Sequence, residues 1–102
     1  MQSNWDLAVA DHSTGKYPYQ EVWSTGSRVR TFFESVDDDE LVWHRDRKDR
    51  HVFVKESDGW YIQFDDELPF LLEKGKTYFI EAMRYHRVIK GKGNLVIEIR
   101  ED

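Results

Sequence analysis

The stretch Gly75-Lys-Thr-Tyr-Phe-Ile-Glu-Ala-Met-Arg-Tyr-His-Arg-Val-Ile-Lys90 is the most informative part of this sequence for its fold. A glycine, which suits a tight turn, comes first, and a short apolar run that is typical of a strand follows it. A single histidine, His86, stands eleven residues after Gly75. A lone histidine beside apolar strand residues is either a hydrogen-bonded core residue or a ligand, and the residues alone leave both interpretations open.

Short β-like runs continue outward from this stretch, with turn residues between them. The clearest runs are residues 20–24, 28–36, 41–44, 51–55, 60–65, 70–72 and 95–99. In the last run, Leu95, Ile97 and Ile99 occupy alternate positions, as expected for a half-buried strand. Roughly eight to nine strands without a convincing helix predict an all-β fold of two packed antiparallel sheets, a sandwich or a barrel.

The spacing between Gly75 and His86 resembles the second sequence motif of the cupins, G-x5-P-x-G-x2-H-x3-N. Glu81, Met83 and Lys90 stand where that motif has its Pro, Gly and Asn. The resemblance implies that the barrel interior holds one imidazole, at the place where cupins bind a metal or a substrate.

Two further segments resemble particular groups of cupins. Residues 16–22, Lys-Tyr-Pro-Tyr-Gln-Glu-Val, resemble the leading strand of the sugar-isomerase-like (RmlC-like) cupins. The stretch Trp-His-Arg-Asp-Arg at 43–47 is similar to standalone cupins carried by large bacteriophages. Together these resemblances imply one cupin double-stranded β-helix, a jelly-roll barrel, over residues 17–102. Residues 1–16 are expected to form a peripheral N-terminal segment.

His44, Asp46 and His86 are the candidate metal ligands. Residues i and i+2 of a strand point to the same face, so His44 and Asp46 can converge, and His86 from a paired strand can complete the site. Two imidazoles and one carboxylate suit non-haem Fe(II), and Zn(II), Ni(II) or Mn(II) are also chemically reasonable. The alternative is that Asp46 belongs to a surface ion-pair ladder with the neighbouring basic residues.

The first cupin motif is G-x5-H-x-H-x3,4-E-x6-G. Its glutamate position corresponds to Arg50 with the shorter spacing and to His51 with the longer one. An inward Arg50 favours an anionic ligand over a metal, whereas an inward His51 can be a further metal ligand. Strand parity leaves both open, because both faces of the following strand carry apolar residues. Gln63, expected to point inward, and Tyr78, an aromatic residue that can line a pocket, are further candidates for ligand binding.

Composition narrows the range of partners. The net charge of -5 argues against nonspecific binding to nucleic acid, which depends on neutralising phosphates. The sequence has no cysteine, which excludes disulfides and thiolate zinc sites. It shows no signal-peptide pattern and no apolar stretch of membrane-spanning length. We therefore expect a cytoplasmic protein with neither nucleic acid nor a membrane as its partner.

Two functions fit these observations. The first is a cupin whose barrel pocket binds a divalent metal, a small polar molecule or both, with an activity that the sequence does not specify. The second is a metal-free carbohydrate- or anion-binding cupin, or a non-enzymatic assembly module. A homodimer is expected, because open sheet edges need partners and because Trp5, Tyr17 and Tyr19 add aromatic surface near the N-terminus.

Overall fold

The structure is a computed structural model that describes residues 18–101. Within that range it has eight strands and one short 3-10 helix, Asp38–Glu40, so the predicted all-β class is confirmed. The strands are β1 (Gln20–Ser24), β2 (Ser27–Phe32), β3 (Arg50–Asp58), β4 (Tyr61–Phe64), β5 (Phe70–Leu71), β6 (Thr77–Ile80), β7 (His86–Ile89) and β8 (Lys92–Glu101). The predicted peripheral segment, residues 1–16, and Tyr17 lie outside the described residues. None of the helices in the described range could span a membrane.

The strands form two antiparallel sheets around one core. The larger sheet has the order β1-β2-β8-β3-β6, and the smaller sheet has the order β5-β4-β7. Both sheets contribute apolar side chains to a single buried cluster. Its largest fully buried members are Trp60, Phe32, Leu95, Ile99 and Val54. The core therefore lies between the sheets, as the sequence predicted.

The inner face of the larger sheet changes from charged to apolar along its strands. In β2, Arg28 and Arg30 are buried on the same face as Phe32, and in β3 Arg50 is buried on the same face as Val52. We call the charged set the ionic end of the barrel; its members are Glu21, Arg28, Arg30, Asp46, Arg50 and Glu101. We call the opposite set the apolar end; its members are Phe32, Val54, Trp60 and Leu95.

The segment between the 3-10 helix and β3 differs from the sequence expectation. Residues 41–44 were predicted to form a strand, but only His44 pairs, in an isolated antiparallel bridge to His86. Each of the two histidines donates its backbone N–H to the carbonyl oxygen of the other, at 2.9 Å in both cases. This bridge places the two histidines side by side at the start of β7.

The turn before β7 contains Met83, whose φ of 67° is the only positive value at a non-glycine position among the described residues. The left-handed conformation favours glycine, which is the residue that the second cupin motif has at this position. The backbone N–H of Met83 donates to the carbonyl oxygen of Asp46 at 2.6 Å. Backbone hydrogen bonds therefore join the two motif segments at both His44 and Asp46.

Candidate metal centre

Three side chains with metal-ligating atoms meet inside the barrel: His44, Asp46 and His86. One such atom from each residue lies within 4.8 Å of the other two. His86 Nε2 is 3.3 Å from Asp46 Oδ2, and His44 Nε2 is 4.0 Å from Asp46 Oδ1. All three residues are buried, and Asp46 is only 1% exposed. The alternative in which Asp46 belongs to a surface ion-pair ladder is therefore wrong.

Backbone carbonyl groups fix the orientation of both imidazoles. His44 Nδ1 lies 3.0 Å from the carbonyl oxygen of Val42, and His86 Nδ1 lies 2.8 Å from that of Arg84. A carbonyl oxygen can only accept, so each Nδ1 must carry the proton that it donates. In a neutral ring, Nε2 then presents its lone pair, and both Nε2 atoms face Asp46. Such carbonyl contacts orient metal-binding histidines in many proteins.

The surroundings keep His44 neutral and Asp46 ionised. Burial, helped by the nearby His86, lowers the pKa of His44 from 6.5 to about 3. Burial by itself raises the pKa of Asp46, but a hydrogen bond donated by His86, in the state where its Nε2 carries a proton, and the charge of Arg50 outweigh it and hold the pKa below its ordinary range. The site thus presents a neutral imidazole and a carboxylate, the protonation states in which these groups bind metals.

Arg50 links this site to the rest of the ionic end. Its Nη1 lies 3.0 Å from Asp46 Oδ1, and its Nε donates to Glu101 Oε2 at 2.8 Å. Arg28 donates to both oxygens of Glu101, at 2.9 Å and 3.2 Å. Burial opposes ionisation of Glu101, but these two arginines outweigh it and hold the pKa of Glu101 below its usual value.

Glu21 pairs with the two arginines of β2. Its Oε2 accepts from Arg30 Nε at 2.6 Å and lies 3.3 Å from Arg28 Nε. Charged residues in strands usually point to solvent, so the sequence alone did not predict the inward positions of Glu21, Arg28, Arg30 and Glu101. Alternation in β2 alone would have placed Val29, rather than the arginines, inside.

A cavity of about 30 Å³ lies between the two sheets beside the histidines. Its polar lining residues are Arg30, His44, Arg50 and His86, and the other nine are apolar. Every lining residue is buried. Since a water needs about 10–15 Å³, this volume holds roughly two or three water-sized groups. A sugar would need a far larger space, because typical ligand pockets have about 300–1,000 Å³.

Several solved structures share this fold, whereas neither a family model nor a curated protein matches the chain. Protein NMB1881 from Neisseria meningitidis matches over 100% of both chains, with a TM-score of 0.57 and 16% identity. Fe(II)-HppE with an alternative substrate has a TM-score of 0.59 and 16% identity, over 80% of this chain and 48% of that one. A structure of the DMSP lyases RdDddP and RnDddQII has a TM-score of 0.59 and 18% identity, over 76% of this chain and 39% of the matched one.

HppE and the DMSP lyases are cupin-fold enzymes. The chain has a cupin-like fold. It spans about half or less of the length of these two enzyme chains. The predicted double-stranded β-helix is therefore confirmed, and identities below 20% limit the similarity to the fold.

The cupin-like barrel separates the remaining site candidates into inner and outer positions. Arg50 is buried and lines the cavity, whereas His51 is exposed on the opposite face of β3, where its ring packs against Phe79. The interpretation of His51 as a further ligand is therefore wrong. In β3, Arg50, Val52 and Val54 share the face that is buried in the core, and His51 and Phe53 lie on the other face.

Gln63 and Tyr78 also lie away from the cavity lining. The inward position expected for Gln63 is wrong, because Ile62 and Phe64 are the buried residues of β4 and the side chain between them points outward. Its Oε1 accepts from Arg87 Nη2 at 2.8 Å on that outer side. The hydroxyl of Tyr78 donates to the carbonyl oxygen of Leu71 at 3.1 Å, a contact that fixes its position in the fold.

The residues at the centre fit a divalent metal. Neither carboxylate oxygen of Asp46 accepts a well-aligned hydrogen bond from a described residue, although both are buried. Ligands at about 2.0–2.1 Å from one ion lie roughly 3–3.5 Å apart, and the Nε2–Oδ2 separation at His86 and Asp46 is 3.3 Å. Lone pairs that face one another at this distance require a proton or a cation between them.

Proposed function

We propose that the protein binds one divalent transition metal through His44, Asp46 and His86, and uses it on a small polar molecule in the barrel cavity. The observation that supports this most strongly is the orientation of the two Nε2 atoms toward Asp46, whose buried oxygens accept no well-aligned hydrogen bond from residues 18–101. A matched cupin-fold structure is described as Fe(II)-HppE, which favours Fe(II) as the first metal to test. Two histidines and one carboxylate are the donor set that suits this ion.

Each protein group has a distinct part in this proposal. The carbonyl oxygens of Val42 and Arg84 hold the rings with Nε2 directed inward. Arg50 positions Asp46 through the 3.0 Å contact and balances its charge. The apolar cavity wall excludes bulk water and restricts the ligand to a few heavy atoms. A bound metal would supply Lewis acidity, or redox chemistry in the case of Fe(II), with coordination positions left for substrate.

A second candidate function is a metal-free anion-binding barrel, and the buried Arg50 favours it. A guanidinium stays charged at any biological pH and repels a divalent cation. In that case a proton on His86 would satisfy the contact with Asp46 in place of a metal. The small cavity disfavours a carbohydrate in either candidate function.

The sugar-isomerase-like and bacteriophage-like subtypes, the homodimer and the cytoplasmic location stay predictions. So does the alternative of a non-enzymatic assembly module.

Calorimetric titration of chelator-treated protein with Zn(II), Mn(II) and anaerobic Fe(II) tests the proposal. We expect one site per chain in the natural protein, and none in His44→Ala or His86→Ala. His51→Ala is the matched control, because His51 is a histidine on the outer face near the same end of the barrel. Metal binding that survives both inner substitutions, or that is lost equally with His51→Ala, would contradict the proposal.

A further inference from the structure

Arg30 is a buried arginine on the cavity wall that the candidate metal centre does not use. Its Nε donates to Glu21 Oε2 at 2.6 Å, and its guanidinium lies 3.8 Å from the centre of the Tyr19 ring. It is 2% exposed, and its Nη2 is buried without a hydrogen-bond partner among residues 18–101. Buried polar groups in proteins are nearly always hydrogen-bonded, so an unpaired guanidinium nitrogen of a residue that lines the cavity points to a missing acceptor.

The charges around the cavity indicate what that acceptor is. The ionisable side chains of its lining are two arginines and two histidines, without a carboxylate among them. Asp46 and Glu21 contact these basic groups but do not line the cavity. A small molecule in the cavity therefore meets fixed positive charge, and Arg30 and Arg50 favour an anion whose oxygens accept charge-assisted hydrogen bonds.

The size of the cavity restricts the anion further. A volume of about 30 Å³ holds roughly two or three water-sized groups. Formate, nitrate and acetate have three or four heavy atoms and are close to this limit, whereas a sugar phosphate is far above it. The apolar side chains that form the rest of the wall provide no hydrogen-bond partners for additional polar groups.

We propose that Arg30 binds a small oxyanion, a carboxylate or inorganic oxyanion of three or four heavy atoms, through its Nη2. This proposal names the ligand class of the cavity that the proposed function uses. A role for the anion as substrate or co-ligand beside the metal rests on that proposed function. The binding step itself needs only the cavity and Arg30.

Arg28 provides a matched control in the same strand. It is buried on the same face of β2, and its Nε lies 3.3 Å from the same oxygen of Glu21. Unlike Arg30, it does not line the small cavity; it lies in a separate surface pocket of about 250 Å³ with Trp23 and Lys48. Removing either arginine disturbs the Glu21 pairing, but only the removal of Arg30 takes a donor from the cavity.

The test is titration with 13C-formate, followed by NMR, of chelator-treated and zinc-loaded protein. We expect formate to bind the natural protein, Arg30→Met to weaken binding by about tenfold or more, and Arg28→Met to change it by less than about twofold. Absence of formate binding to the natural protein in both forms would overturn the proposal. Equal effects of the two substitutions would also overturn it.

Two further measurements cover a variant that fails to fold and distinguish anion binding from metal binding. If Arg30→Met fails to fold by circular dichroism, 15N signals of the Arg30 guanidinium in the natural protein must shift with formate, and unchanged signals reject the site. A zinc titration run in parallel separates the two proposals. Formate binding without zinc binding rejects only the metal centre, and zinc binding without formate binding rejects only the Arg30 site.

Discussion

The ionic and apolar ends of the barrel are built from the same strands but have opposite chemistry. In β2, Arg30 is followed two residues later by Phe32, and in β3, Arg50 is followed in the same way by Val52 and Val54. The apolar end gains stability from burial, at about 25 cal/mol per Å². Buried ion pairs add little net stability, since desolvation of the charges offsets most of their attraction.

This difference indicates where function is located. Arg28, Arg30 and Arg50 are all buried at the ionic end, although apolar residues at these positions would pack without a desolvation cost. The candidate metal centre lies at that end. The cavity beside it borders both ends, since Arg30 and Arg50 line it together with Phe32 and Leu95, and Arg30 Nη2 has no hydrogen-bond partner among residues 18–101. We infer that the apolar end supports the fold, whereas Arg30 and Arg50, the two ionic-end arginines that line the cavity, serve ligand binding.

The largest expected effect is at the apolar end. Trp60 is 0% exposed and packs against Phe32, with ring centroids 6.1 Å apart. Trp60→Ala should lower the free energy of unfolding by roughly 3–5 kcal/mol, without changing the metal affinity of the folded protein. Urea unfolding and zinc titration measure the two quantities. Trp23→Ala is the control, because Trp23 is 54% exposed, and equal losses for both substitutions would contradict the assigned core.

The second-largest effect is at the ionic end, where one substitution should lower the stability of the protein but raise its metal affinity. Arg50→Met leaves Asp46 buried without its cation, which should lower the free energy of unfolding by roughly 3 kcal/mol. In the folded protein it should raise the affinity for Zn(II), since the positive charge 3.0 Å from Asp46 Oδ1 is removed. Calorimetry on the folded variant measures this affinity. Weaker zinc binding would show that Arg50 assists the metal rather than opposing it.

Low pH should lower the free energy of unfolding, because His44 at the ionic end is buried in its neutral form. Its pKa falls from 6.5 to about 3 because it is buried, so the unfolded chain binds a proton that the folded chain does not. Stability therefore falls as the pH drops below 6.5, by roughly 2–3 kcal/mol at about pH 4.5. Asp46 and Glu101, whose pKa values are lowered, add their own losses only below about pH 4. Urea unfolding of chelator-treated protein measures the loss.

His44→Gln is the control for this pH dependence. It keeps a neutral polar side chain and should remove most of the loss between about pH 6.5 and 4.5. The same pH dependence in the variant and in the natural protein would contradict the role given to His44.

The smallest effect concerns the turn that carries the site. Met83 has a φ of 67°, so Met83→Gly should stabilise the protein by roughly 0.5–1 kcal/mol. Gly75→Ala is the opposite control, because Gly75 has a φ of 88° and an added Cβ would meet only open space. It should destabilise by a similar amount, through backbone strain alone. Thermal unfolding measures both, and a destabilised Met83→Gly would show that the methionine side chain contributes more than the strain costs.

The strands were predictable because their sequence signals are local. The alternation of Leu95, Ile97 and Ile99 in β8 identified the inner face directly, and glycine turns separated the runs. The choice between Arg50 and His51 was not predictable, since apolar residues occur on both faces of β3 and only the neighbouring strands decide which face is buried.

The candidate site was predictable in part, because His44 and His86 could be located by their spacing. The arginines of β2 were missed, since their burial depends on Glu21 in β1 and on Glu101 at the far end of the chain. Predicting such pairings requires knowledge of the sheet order, which places β8 between β2 and β3.

The proposed metal centre requires that His44, Asp46 and His86 together hold one ion. Elemental analysis of protein purified without chelators, and again after chelation and reloading with Fe(II) or Zn(II), tests it most directly. We expect close to one metal ion per chain in the natural protein and none above background in the His44→Ala, His86→Ala double variant. A natural protein that stays metal-free after reloading, while folded and monodisperse, would contradict the claim.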